Sequence, residues 1–229
     1  MTQDELNKAL LEAARDGNLA KVKKLIRAGA EIDAGDIVEK MRPLHRASEN
    51  GHLPVVKFLL ENGAKADAEN FFGRQPLHLA ADKGHLSVAR LLVSHGAKVD
   101  AENNWGTQPL HCAASSNHVS VMKFLVEKGA PVDAADGNGW TPLHYAGHLA
   151  AARFLLEAGA DPMEKNGEGR TPRDIEPDQD NMEFSEVRAL LQKWSDPEFQ
   201  EKRRQAANAE AVRDHWKKVG KYIPSGPRM

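Results

Sequence analysis

The segment QPLHLAADKGHLSVARLLVSHGAKVDAENNWGT, Gln75–Thr107, is 33 residues long and decides the fold. A polar residue followed by Pro-Leu-His begins at Arg42, Gln75, Gln108 and Thr141, so the motif recurs every 33 residues. A weaker copy, TPRD, begins 30 residues later at Thr171. A period of this length is typical of a solenoid of stacked supersecondary units, so the repeat indicates the architecture.

Each unit predicts two short helices joined by a tight turn. Proline is well tolerated at the first helical position, where its missing N–H costs nothing. The first helix ends at Gly51 or Gly84, and the third unit has Asn117 there, the other residue that tolerates a left-handed C-cap. Gly17 and Gly147 are expected to play the same role. A second helix with an apolar stripe ends at a Gly-Ala pair, and a polar, turn-rich connection follows.

This unit resembles the ankyrin repeat, in which a β-turn finger precedes two antiparallel helices, and the resemblance covers about residues 5–194. It implies an all-α ankyrin-repeat solenoid over residues 1–194. An N-terminal cap (5–33), full repeats (about 34–163) and a C-terminal cap (about 164–194) are expected, with the polar character of terminal repeats. The implied function is to bind a partner protein through the finger tips and the concave inner-helix face.

The composition agrees with a folded protein of this kind. Of 229 residues, 41% are hydrophobic and 28% charged, which is too apolar for a disordered chain. A net charge of −2 makes the whole chain a poor electrostatic trap for nucleic acid or membrane. No apolar run spans a bilayer, and the N-terminus lacks the apolar core of a signal peptide. A single cysteine favours a reducing compartment, the cytoplasm or alternatively the nucleus, and we expect a monomer.

The pair His111–Cys112 raises the question of a nucleophilic site. His111 is the third copy of a histidine that recurs at His45, His78 and His144, and four equivalent copies indicate a structural role. The resemblance implies that this histidine hydrogen-bonds and links neighbouring units. A catalytic dyad would need an orienting group and an oxyanion site, and the sequence has neither. Because spacings of 33 residues make no compact metal motif, we predict no catalytic site, no metal and no cofactor.

The finger tips carry unexpected aromatic residues. Aligning the units places Trp105 with Phe72, and Asn104 with Phe71, where ankyrin fingers normally have small or polar residues. The rings either fold back and stiffen neighbouring fingers or anchor a partner, as exposed aromatic clusters do. The predicted partner-binding residues are Phe71, Phe72, Asn104, Trp105, Asn138 and Trp140 on the fingers, and Arg46, Leu79, Asp82, Cys112, Ser115 and Tyr145 on the inner helices.

Three of the four well-formed motifs lack the threonine that caps the inner helix in ankyrin repeats. Arg42, Gln75 and Gln108 stand in its place, and only the fourth unit has Thr141. Loss of a good N-cap costs about 1 kcal/mol per site. We therefore expect these three units to be less stable than consensus units.

The fourth unit is three residues short. His144 and Arg153 are 9 positions apart, whereas the equivalent His111 and Lys123 are 12 apart. Either the deletion only shortens the inner helix, or it creates a notch or a change of curvature in the binding face near Tyr145. The fifth unit carries the opposite change, an insertion between its helices that predicts an exposed loop.

Residues 195–229 lie outside the repeats and predict a basic amphipathic helix followed by a tail. From Gln200 to Met229 there are eight Lys/Arg and three Asp/Glu, a difference of 8 − 3 = +5. The helix either packs on the last repeat, is presented to a partner, or binds nucleic acid or an anionic membrane. The alternatives to an adaptor are therefore a regulatory or targeting subunit of an enzyme complex and a tail that binds an anionic surface. The apolar stripe comprises Phe199, Ala206, Ala209, Val212, Trp216 and Val219.

Overall fold

The computed structural model describes residues 1–175 and 183–206, which form a linear stack of helical pairs. The inner helices are α1 Gln3–Arg15, α3 Pro43–Glu49, α5 Pro76–Asp82, α7 Pro109–Ser115 and α9 Pro142–Tyr145. The outer helices are α2 Leu19–Arg27, α4 Leu53–Glu61, α6 Leu86–Ser94, α8 Val119–Glu127 and α10 Leu149–Glu157. In the fifth unit a 3₁₀ turn, Pro172–Asp174, occupies the position of the inner helix. It is followed by α11 Glu183–Trp194 and by α12, residues 197–206.

The residue that ends each turn between an inner and an outer helix adopts the left-handed backbone conformation, with one exception. The φ angles of Gly51, Gly84 and Asn117 are 71°, 73° and 57°, so asparagine does replace glycine in this conformation. Gly17 behaves in the same way, with a φ of 71°. Gly147 is absent from the positive-φ residues, and the prediction for it is wrong. The reason is that α9 has four residues where α7 has seven, so the turn that this glycine would cap is missing.

The core is a continuous ladder that runs through all units. Each inner helix from α3 to α9 buries its motif leucine in one common core cluster, and each outer helix from α4 to α10 adds at least one fully buried leucine. Because every unit buries its apolar face only against its neighbours, the stack is stable as a whole. The inner ladder comprises Leu44, Leu77, Leu110 and Leu143, and the outer one Leu59, Leu92, Leu125 and Leu155, all at most 2% exposed.

The deletion in the fourth unit shortens the inner helix and leaves a cavity beside the missing turn. The cavity, about 450 Å³, lies between α8 and α10. Asn117 and Leu149 line it at the turn, and Val119 and Phe154 line it along the outer helices. The observed notch therefore lies on the side of the outer helices.

The first part of the tail packs on the last repeat. The ring of Phe199 lies 5.8 Å from that of Trp194, which is only 7% exposed, and the guanidinium of Arg203 lies 3.7 Å above the Trp194 ring. The predicted stripe residues Ala209, Val212, Trp216 and Val219 lie outside the described residues, as do residues 176–182 of the predicted loop. None of the described helices combines the length and apolarity that a membrane crossing requires.

Candidate protein-interaction surface

The motif histidines fasten each inner helix to the finger that follows. The Nδ1 atom of His78 accepts a hydrogen bond from the Gln75 N–H at 3.1 Å, so Nε2 carries the proton and donates to the Thr107 carbonyl at 3.0 Å. Burial lowers the pKa of His78 to about 4, which keeps the ring neutral at pH 7. The same bridge to the next finger is made by His45, His111 and His144 at 3.0–3.1 Å.

The five described fingers, numbered in chain order, have their tips at residues 36–41, 70–74, 103–107, 136–140 and 166–170, and each is held in shape by a side chain at the start of its turn. In the third finger the Asn103 Oδ1 accepts the N–H groups of Trp105 and Thr107 at 2.9 and 3.0 Å, an Asx turn that fixes the loop. The Asn104 N–H donates to the Phe72 carbonyl at 3.1 Å and joins the second and third fingers. The tips therefore project from a rigid backbone. Asn70, Asp136 and Asn166 play the role of Asn103 in the other fingers.

Phe71, Phe72 and Trp105 form an aromatic tip cluster across the second and third fingers. The Phe72 and Trp105 rings stack with centroids 5.8 Å apart, and the Phe71 ring meets Phe72 edge-on at 5.4 Å. Phe71 and Trp105 are nevertheless 58% and 52% exposed. Contact between fingers and exposure to solvent thus coexist in the same three rings, so the two interpretations of these residues are compatible.

The apolar surface continues on the first finger, which sequence reasoning missed. Ile37 and Val38 are 99% and 82% exposed. The sequence does indicate that this finger is longer than the others. Gly29 and Gly63, the first two glycines of the Gly-Ala pairs, lie 34 rather than 33 residues apart, so the loop holds one extra residue. Lys40 has a φ of 53° at the position where the second finger has Gly73, which fixes the alignment of the turn.

On the inner helices, Arg46 is surrounded by carboxylates. Its guanidinium lies 3.2 Å from Asp36, 3.4 Å from Glu39 and 3.5 Å from Glu49. These contacts join the first finger to α3 and leave Arg46 only partly available to a partner.

A second ion pair, Arg74–Asp82, joins the second finger to the inner helix α5. Arg74 reaches from the second finger to Asp82 at 3.4 Å, and the Ser116 hydroxyl donates to Asp82 at 3.2 Å. Leu79, one turn before Asp82, is only 3% exposed and offers a partner almost no surface, so it does not belong to the interaction surface. Ser115 is exposed.

The remaining predicted inner-helix residues are Cys112 and Tyr145. Burial raises the pKa of the Cys112 thiol to about 11, so it stays protonated at pH 7 and lacks the thiolate that a nucleophile needs. The Tyr145 hydroxyl donates to Asp136 at 2.6 Å, and burial together with this carboxylate raises its pKa. Within the described part of the chain, His, Cys, Asp and Glu side chains form no group that could hold a metal ion.

Comparison with known families agrees with this architecture. A family model described as ankyrin repeats, in three copies, matches residues 10–103 and 95–166, more than half of the chain. The chain belongs to the ankyrin-repeat family. Repeats of this family are generally non-catalytic modules for protein–protein interaction. No curated protein matches the chain.

Proposed function

We propose that this ankyrin-repeat chain is a non-catalytic adaptor that binds a partner protein through its aromatic tip cluster. The observation that carries the proposal is the half-exposure of Phe71 and Trp105 on fingers whose backbone is fixed by hydrogen bonds. Large rings held in place before binding lose little conformational entropy, which makes them typical interface hot spots.

The surface around the cluster supplies the rest of the proposed interface. Ile37 and Val38 extend it along the first finger, and the exposed carboxylates of Glu69 and Glu102 flank it. An apolar centre with a charged rim is the usual organisation of a protein interface. A partner with an apolar patch and some basic side chains would complement this surface.

Affinity capture from native cell extract, quantified by mass spectrometry, tests the proposal. The wild-type chain is compared with the double variant Phe71→Ala/Trp105→Ala. We expect at least one protein to be enriched on wild type and reduced about tenfold or more on the variant, since removing hot-spot residues typically costs about 2 kcal/mol or more.

The matched control is Met163→Ala, which removes an apolar side chain of similar exposure, 55%, far from the second and third fingers. Helical content of all variants is checked by circular dichroism. Equal capture by the wild-type chain and the double variant, with helicity preserved, would show that the tip cluster has only a structural role.

A further inference from the structure

An open depression lies between the fourth and fifth fingers, beside the aromatic tip cluster. Its volume is about 680 Å³, within the range of about 300–1,000 Å³ that ligand pockets span. Its floor lacks side chains because Gly137 and Gly167 stand where the second and third fingers have Phe71 and Asn104. Its lining comprises Gly137, Asn138, Gly139, Trp140, Tyr145, Gly167 and Glu168.

The two glycines lie where adjacent fingers approach each other closely. A Cβ atom on Gly137 would lie 2.9 Å from the Trp105 carbonyl oxygen, and one on Gly167 would lie 2.8 Å from the Asn138 carbonyl oxygen. Each glycine N–H donates to that same carbonyl at 2.8 Å. The depression is therefore built into the packing of the fingers.

Two aromatic rings, those of Trp140 and Tyr145, form the wall of the depression. The Trp140 and Tyr145 centroids are 5.3 Å apart at an interplanar angle of 49°. Asp136 bonds to both residues, because one carboxylate oxygen accepts the backbone N–H of Trp140 at 2.9 Å and the other accepts the Tyr145 hydroxyl at 2.6 Å. The Tyr145 ring also meets His111 edge-on at 5.7 Å.

The charged groups near the four motif histidines differ in sign between the two ends of the stack. Burial is the main cause that lowers the pKa of each. Arginine charges lower the pKa of His45 and His78 further. At His111 and His144, by contrast, the carboxylate of Asp136 opposes the lowering of the pKa. Carboxylates therefore lie near the motif histidines on the side of the stack that carries the depression.

The charged groups at the rim support the same conclusion. The carboxylate of Glu168 lines the depression and pairs with Arg170 of the same finger. Glu164 lies close enough to His144 to affect its pKa. Glu168 and Asp136 against Arg170 leave a net charge of −1 beside the aromatic wall, which is a combination that favours a cation.

We propose that this depression binds the guanidinium group of an arginine side chain that the partner protein presents. The inference rests on the proposed function, because it names what a partner bound at the tip cluster places in the neighbouring depression. Arginine fits better than lysine, since a planar guanidinium stacks on aromatic faces and pairs with a carboxylate at the same time. Glu168 already pairs with one guanidinium at this rim, and the incoming arginine shares or displaces that contact.

The probe for the test is N-acetyl-arginine amide, titrated into the full chain with ¹⁵N-labelled tryptophan. N-acetyl-citrulline amide, which has the same shape without the charge, is the matched ligand. We expect a saturable shift of the Trp140 indole N–H signal with the arginine compound and none with the citrulline compound. The signal is assigned with Trp140→Phe, and the Trp194 signal, whose ring is already covered by Arg203, should not move.

Glu168→Gln should weaken the response to arginine about threefold, in keeping with the small energy of an exposed ion pair. Glu61→Gln, which neutralises an exposed, ion-paired carboxylate on α4, is the control and should leave the response unchanged. The inference is wrong if Trp140 gives no saturable shift, or if citrulline shifts it as strongly as arginine. The two proposals fail separately, because capture of a partner through Phe71 and Trp105 does not depend on this titration.

Discussion

The third and fourth units differ in one deleted turn, and the difference shows where the constraints on a repeat come from. Gly84 lies at the turn of the second unit, next to His118 of the third unit. A Cβ atom added to Gly84 would lie 2.5 Å from the His118 imidazole. Asn117 is the equivalent residue of the third unit, and His148 is the corresponding histidine of the fourth unit. The backbone of His148 has φ −115° and ψ 142°, whereas that of His118 has φ −87° and ψ 69°. A full side chain therefore fits at Asn117. The residue allowed at a turn is decided by the unit that follows it.

The largest expected effect is a difference in stability between substitutions at Gly84 and at Asn117. Gly84→Ala places a side chain in the left-handed region and against His118, and should lower the free energy of unfolding by about 3 kcal/mol. Asn117→Gly should change it by less than about 1 kcal/mol, because the Asn117 Oδ1 is buried without a hydrogen-bond partner and glycine accepts this backbone freely. Urea unfolding followed by circular dichroism measures both, and equal destabilisation by the two variants would break the comparison.

The next effect compares the two ends of the stack through pH. His45 and His78 have a pKa lowered to about 4, so the unfolded chain, in which histidine titrates near 6.5, binds more protons between these values. Stability is therefore fully present above pH 6.5. It falls on acidification by at most about 1.4 kcal/mol per pH unit for each histidine.

Urea unfolding at pH 7, 6 and 5 measures this loss of stability. NMR titration of the imidazoles adds the comparison between the ends. His111 and His144 should gain their protons at a higher pH than His45 and His78, since Asp136 favours their charged form. A free energy of unfolding that is constant from pH 7 to 5 would contradict the buried, neutral state of these rings.

The smallest effect concerns the first position of the motif. The Oε1 atoms of Gln75 and Gln108 are buried without a hydrogen-bond partner, whereas the Thr141 hydroxyl lies 2.9 Å from the Nδ1 of His144. Gln108→Thr should therefore raise the free energy of unfolding by about 1 kcal/mol, and Thr141→Gln should lower it by a similar amount. Differential scanning calorimetry detects both, and a Gln108→Thr variant less stable than wild type would show that the glutamine is well accommodated.

Much of this architecture could be predicted from the sequence because the period fixes equivalent positions. The left-handed conformation of Asn117 follows from its alignment with Gly84. The conformation of Gly147 could not be predicted in the same way, because the deletion removed the turn on which the alignment relied. Nor could the burial of Leu79, because the equivalent residues Arg46, Cys112 and Tyr145 of the other units are all partly exposed.

The interaction surface was predictable only in part, for a related reason. Alignment places aromatic residues at the tips, but the exposure of each ring depends on which neighbour it stacks against. Phe72 stacks on Trp105 and is half-buried, whereas Phe71 stays more than half exposed. The depression beside Trp140 and Tyr145 depends on glycines of two different fingers and on their close approach, which no single repeat reveals.

Site-specific photo-crosslinking in living cells tests the central claim most directly. p-Benzoylphenylalanine is placed at Phe71 on the tip cluster and, as the matched control, at the exposed Ser120 on α8. We predict a discrete crosslinked product with another protein from the first position and none from the second. A product from Ser120 and none from Phe71 would contradict the account and place the interaction surface on the outer helices.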